Sequence, residues 1–203
     1  MQISLYVAGA GVGTGKSVVA LGLMEMLSAI NRKIGFFRTI VQSSSQDDAQ
    51  IALMRQRYNL PFAPEMLYGC TADEAKHLLG SGQYEELIKR ILAKFKALEE
   101  KCDLVVCAGT DYDGLVPSLE FDFNADLANN LGCLLIVVVK GFKQDPEEIL
   151  DAVRLAQESL QDRGSEVWAT VINGVAAEQA ISLRARVRAA LPDELDILAV
   201  LGR

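Results

Sequence analysis

The segment Gly9-Ala10-Gly11-Val12-Gly13-Thr14-Gly15-Lys16-Ser17 limits what this chain can fold into more than any other. An apolar run over residues 3–8 precedes it. A helical period follows over 17–30, with Val18, Leu21, Met24 and Leu27 as its apolar positions. Strand, glycine loop and helix in that order make the phosphate-binding turn of an open α/β sheet. The glycines let the backbone turn its N–H groups inward and let an anion approach closely. The helix start adds unpaired N–H groups and the positive end of its dipole. Lys16 is placed to reach terminal phosphates, and the Ser17 hydroxyl to ligate Mg²⁺. The common spacing has four residues between the first glycine and the Gly-Lys pair. That register would put Ala10 in the first glycine's place, whereas Gly9 fits with one residue more. A dinucleotide fingerprint forced onto the same glycines leaves Lys16 and Ser17 unexplained. It also lacks an acidic residue at the end of the second strand, near Val41.

The rest of the chain repeats the alternation. Strand patterns fall at 34–41, 104–108, 134–139, 167–173 and 197–201, and helical patterns at 71–79, 84–100, 125–131, 146–163 and 178–191. The run at 134–139 is apolar throughout, which suits a central strand covered on both faces. Thr71…Glu74 and Asp145-Pro146…Glu148 read as capping boxes, and Gly132 and Gly164 stand where C-terminal caps belong. The expectation is a doubly wound, mostly parallel sheet with helices on both faces, in one domain over residues 1–203. The polar stretch 42–48 reads as a loop. A final strand running straight into the terminus suggests the N-terminal fragment of a longer multidomain protein.

Charge and composition remove other classes. Twenty basic residues against 27 acidic ones leave a net charge of −7, which disfavours a general grip on nucleic acid or an anionic membrane. No apolar run approaches a membrane span. Cys70, Cys102, Cys107 and Cys133 show no metal-ligand spacing, and His77 is the only histidine. Zinc and a histidine-based triad therefore fall away, and reduced thiols in a cytoplasmic protein are the expectation. Arg184, Arg186 and Arg188 read as a solvated helix face, His77 as a helix-surface residue, and Trp168 and the methionines as core.

Ligands of such sheets sit at the C-terminal strand ends. After the second strand stand Asp47 and Asp48, either as a helix cap or as a carboxylate for Mg²⁺, directly or through water. After the third comes Cys107-Ala108-Gly109-Thr110-Asp111-Tyr112-Asp113, with Ala108 where a metal-holding acid would stand and Asp111 and Asp113 further on. After the fifth comes Asn173-Gly174, a plain turn or an amide able to read an adenine edge.

The loop spacing, the polar loop with Asp48, the Gly-Thr-Asp turn and the late Asn173 together resemble the dethiobiotin-synthetase-like P-loop proteins, related to cobyrinic acid a,c-diamide synthase. Stretches such as GKSVVALGLMEML, MLYGCTADEAKHLL and FDFNADLANNLG are more similar still to the N-terminal domain of long-form bacterial phosphate acetyltransferases. That resemblance implies a regulatory and assembly domain in a cytoplasmic homo-oligomer, followed by C-terminal domains that carry the acetyl-transfer site. It implies ATP or a related nucleotide with Mg²⁺ as ligands. Gly9, Gly11, Gly13, Thr14, Gly15, Lys16, Ser17 and Asn173 would hold the nucleotide, and Ser17 and Asp48 the metal. Dethiobiotin synthetases carry an Asp in place of Gly11 and a Lys-Pro in place of Arg38-Thr39. The closer branch carries a Glu in place of Ala108. These departures predict weak or no hydrolysis. Two alternatives remain: a stand-alone ATP-dependent ligase or amidase drawing its metal carboxylate from Asp47, Asp111 or Asp113, and an interaction scaffold with a relic loop.

Overall fold

A computed structural model describes residues 3–30, 33–43, 48–110, 117–191 and 197–202. Its strands are β1 (Ile3–Gly9), β2 (Ile34–Val41), β3 (Tyr68–Thr71), β4 (Leu104–Ala108), β5 (Leu134–Lys140), β6 (Val167–Val175) and β7 (Leu198–Gly202). Its helices are α1 (Lys16–Ser28), α2 (Ala49–Tyr58), α3 (Ala72–Gly80), α4 (Tyr84–Glu99), α5 (Pro117–Leu131), α6 (Pro146–Asp162) and α7 (Ala180–Ala190). The strands form one seven-stranded sheet in the order β3-β2-β4-β1-β5-β6-β7, and every pair is parallel. Parallel neighbours need crossover helices, which keep one hand, so the direction of travel sets the face. Leftward moves put α1 and α2 together on one face. Rightward moves put α4, α5, α6 and α7 in a row on the other. This is the expected α/β fold, parallel throughout.

Burial follows from that layering. The middle five residues of β5 are at most 1% exposed, as its apolar run requires. On one face Phe37 meets Phe95 of α4 edge to face, with ring centroids 5.6 Å apart. Both capping boxes are present, and Gly132 and Gly164 adopt left-handed φ of 69° and 63° at their helix ends.

Three differences from the sequence reading have local causes. The seventh strand, β3, was not expected; it has four residues, and its last, Thr71, is also the N-cap of α3. Helix α5 begins at Pro117 rather than at 125. Trp168 is not core: it is 37% exposed. The β5–β6 register shifts between Leu135 and Ile136, whose partners are Val167 and Ala169. Trp168 is the extra residue of that irregularity and drops out of the inward alternation. Met24 and Met54 are buried as expected, whereas Met26 is 71% exposed. His77 and the three α7 arginines are exposed, and Arg186 pairs with Glu147. Among the described residues no helix is long and apolar enough to cross a membrane.

Candidate functional site

Strand β1 leads through its helix toward β2, while its neighbour β4 leads the other way, toward β5. Adjacent strands whose connections diverge open a crevice at their C-terminal ends. The glycine loop stands over β1 in that crevice. It leaves the strand with the Ala10 N–H donated to the Val138 carbonyl at 2.9 Å. Gly11, Gly13 and Gly15 have φ of 106°, 70° and 79°. A Cβ on Gly9 would stand 2.5 Å from the buried Thr14 hydroxyl, so the loop closes only over a glycine there.

The loop ends in the first turn of α1, whose N-cap is Gly15. That turn has no side-chain cap and no acidic residue. The positive end of its dipole is thus not neutralised by a side chain of the turn itself. Lys16 is 7% exposed at the helix start, and Ser17 is exposed beside it. Asn173, at the end of β6, donates its side-chain amide to the Thr14 carbonyl at 3.0 Å. A Cβ on Gly15 would collide with that amide. The structure therefore brings Gly9, Gly11, Gly13, Thr14, Gly15, Lys16, Ser17 and Asn173 into one place.

Asp48 is the N-cap of α2. One of its oxygens accepts from the Ile51 N–H at 2.9 Å, and the other pairs with Arg38 Nη1 at 2.8 Å. Both carboxylate oxygens are thus engaged as a cap and an ion pair. Among the described residues no group of three or more His, Cys, Asp or Glu gathers at metal-binding distance. The residues present fit an Mg²⁺ carried in with phosphates through the Ser17 hydroxyl. Ala108, the position of a metal-holding acid, is buried at the end of β4. Asp47, Asp111 and Asp113 lie outside the described residues.

Sequence reasoning missed one buried polar group, Asn124 of α5. Its Oδ1 accepts from the Tyr6 hydroxyl at 2.7 Å and from the Thr110 N–H at 2.9 Å, and its amide donates to the Glu120 carbonyl. Tyr6 is fully buried, and burial holds its hydroxyl protonated far above the ordinary tyrosine range, as a donor to Asn124 must be. Asn124 thus ties the loop after β4 to the strand that carries the glycine loop. The signal was available: Asn124, Leu127 and Leu131 are spaced as one face of a helix.

A parallel sheet with a glycine loop closed on an uncapped helix start is the P-loop nucleotide-binding fold. A family model described as an AAA domain matches residues 4–203, and the chain belongs to that family. A phosphate acetyltransferase of Nitratidesulfovibrio vulgaris is 36% identical over 182 residues, which are 89% of this chain and 26% of that protein. One from Synechocystis sp. is 27% identical over 203 residues, 99% of this chain and 29% of that one. The chain therefore spans between a quarter and a third of the length of these relatives. Solved structures share the fold at low identity. An apo GTPase of Pyrococcus abyssi has a TM-score of 0.56 at 15% identity, covering 96% of this chain and 75% of that one. The McdA–ATP complex of Cyanothece has a TM-score of 0.54 at 14% identity, covering 98% and 82%.

Proposed function

We propose that this domain binds ATP or a related nucleotide, with weak or no hydrolysis, as a regulatory and assembly module of a phosphate acetyltransferase. The observation that carries this is the glycine loop itself: three left-handed glycines ending on an uncapped, acid-free helix start, held from behind by Asn173. Loop N–H groups and Lys16 take the phosphates, and Ser17 takes Mg²⁺. Asp48 reaches that ion through water, or on leaving Arg38. The part of the Asn173 amide not given to Thr14 faces the base. Ala108 supports the weak hydrolysis, because no carboxylate on β4 stands ready to hold the metal. The relatives' greater length supports a role beside further domains, and the family resemblance supports a cytoplasmic homo-oligomer in acetate metabolism. Acetyl transfer itself belongs to those further domains.

Calorimetric titration of ATP with Mg²⁺, with ADP followed in the same sample, tests this reading. Binding without ADP release is expected. Lys16→Ala should weaken binding by about tenfold or more, the worth of a charge-assisted contact to phosphate. A folded chain that gives no heat with any nucleotide sinks the reading.

One observation favours a second reading, an ATP-dependent ligase or amidase. A groove of about 340 Å³ opens beside the glycine loop between α5 and α6, lined by Ala10, Gly11, Phe121, Ala152, Leu155 and Ala156. It has room for a small acceptor next to the phosphates. Steady ADP release would select that reading.

A further inference from the structure

The connection after α2 builds a hollow at the far end of the sheet from the glycine loop. Helix α2 stops at Asn59, which takes a left-handed φ of 48°, and the Leu60 N–H turns back to the Arg55 carbonyl at 3.2 Å. Arg55 Nε donates to the Phe62 carbonyl at 3.1 Å, so the turn is held at both ends. The Tyr58 hydroxyl lies 3.3 Å from the Leu21 carbonyl and 3.0 Å from a Glu25 oxygen, which fixes its ring against α1. Between these parts lies a cavity of about 380 Å³, lined by the buried Ile34 and Leu60 and by the half-buried rings of Tyr58 and Phe62. Ile34 opens β2, so the cavity sits at the N-terminal ends of the parallel strands. Its size suits a small molecule, and its rings suit a flat apolar one.

Two lysines share this cavity. The Lys33 N–H donates to Asp103 Oδ2 at 3.1 Å, and the Asp103 N–H returns to the Lys33 carbonyl at 2.8 Å. That clamp brings Lys33, just ahead of β2, to the same place as Lys101, two residues before Asp103. Both lysines line the cavity, and both are exposed. Among the described residues neither ammonium pairs with a carboxylate. That of Lys101 touches Met66 Sδ at 3.9 Å, and that of Lys33 has no hydrogen-bond partner there. Two like charges at one concave site repel each other, and an anion seated between them turns that repulsion into attraction.

We propose that this cavity binds a small organic anion with an aromatic body, its carboxylate between Lys33 and Lys101 and its ring against Tyr58 and Phe62. The cavity divides charge from apolar surface as such a ligand does, with the acid group at the exposed lysines and the ring inside. Helix α1 runs from the glycine loop to Ser28 at the cavity, and its 13 residues put about 20 Å between the two places. Binding here is therefore independent of whether the loop takes a nucleotide.

The test is an NMR titration of the chain with benzoate, with benzyl alcohol as its uncharged counterpart and acetate as its ringless one. Benzoate should bind with a Kd of about 1 mM, the strength that so few atoms supply, and either counterpart about tenfold more weakly. The largest shifts should fall at Tyr58, Leu60 and Phe62. Lys33→Gln and Lys101→Gln change exposed side chains and leave the core untouched. Each should weaken benzoate about threefold, and the two together about tenfold. A folded chain that does not bind benzoate overturns the proposal, as does benzyl alcohol binding as tightly as benzoate. An affinity unchanged in the double variant overturns it too. Shifts centred on Gly13 and Lys16 would place the anion in the glycine loop and equally overturn it.

Discussion

Two residues test how the loop is held. Gly15 combines a left-handed φ of 79° with close contact to the Asn173 amide. Gly15→Ala should therefore destabilise by at least the roughly 1–2 kcal/mol of a left-handed alanine, and denaturant midpoints check it. It should also weaken nucleotide binding, because the displaced amide holds Thr14. Asn124→Ala should leave the Tyr6 hydroxyl with only the long 3.5 Å contact to Thr39 and strip the Thr110 N–H of its Asn124 acceptor, at roughly 1–3 kcal/mol for a buried donor left unpaired. A loss under about 1 kcal/mol in urea denaturation would mean that neither donor depends on Asn124. The phosphate-loop residues were legible in the sequence because spacing alone defines them. Arg38 was legible only as a departure from a relative's lysine. Its ion pair with Asp48 is a property of packing, which no local pattern carries.

Elements were legible where periodicity and caps agreed. Strands β2 and β4 fall on their expected residues, and α4 and α6 lie within one residue of theirs. Strand β3 was hidden because Tyr68–Thr71 is too short for an alternation, and its threonine signals a helix start instead. The first part of α5 was hidden because Asn124 interrupts the apolar pattern with a polar residue whose partners lie on β1 and after β4. The capping box of α3 is open to measurement. Thr71→Ala should cost about 1 kcal/mol of stability. The Thr71 backbone N–H is the main cause that holds the Glu74 carboxyl below its ordinary value. A lowered folded pKa gives stability that is present above the unfolded value and lost as pH falls through the folded one. Glu74→Ala should therefore flatten the acid limb of a stability–pH curve and leave the neutral plateau lower. An unchanged acid limb would dissociate Glu74 from the cap.

At the scale of the whole molecule, sheet order and layering are the part that single elements do not dictate. Alternating strands and helices imply a parallel sheet, but the insertion of β4 between β1 and β2 is what makes the crevice. The same layering buries three of the four cysteines. Burial pushes the Cys70 thiol up to about 12 and that of Cys102 to about 11, and raises Cys107 well above its ordinary range. These raised values work at the alkaline end. The stability they confer is complete below the ordinary value of 9.0 and drains away as pH rises toward about 12. Urea midpoints should fall across that window, and Cys70→Ala should reduce the fall. Native chain at neutral pH should react with a thiol reagent first at Cys133, the one cysteine not fully buried. Peptide mapping that finds Cys107 modified first would contradict the packing of β4.

The hydrogen bond from Asn173 to Thr14 joins residues 159 positions apart. A ribosome releases Thr14 159 residues before the residue that braces it. During synthesis the glycine loop thus emerges long before it can take its braced shape. A nascent chain halted before β6 would carry the whole phosphate motif without the brace behind it. Docking of β6 is therefore the step that gives the glycine loop its brace, and the loop's final shape is bound to the completion of that part of the sheet.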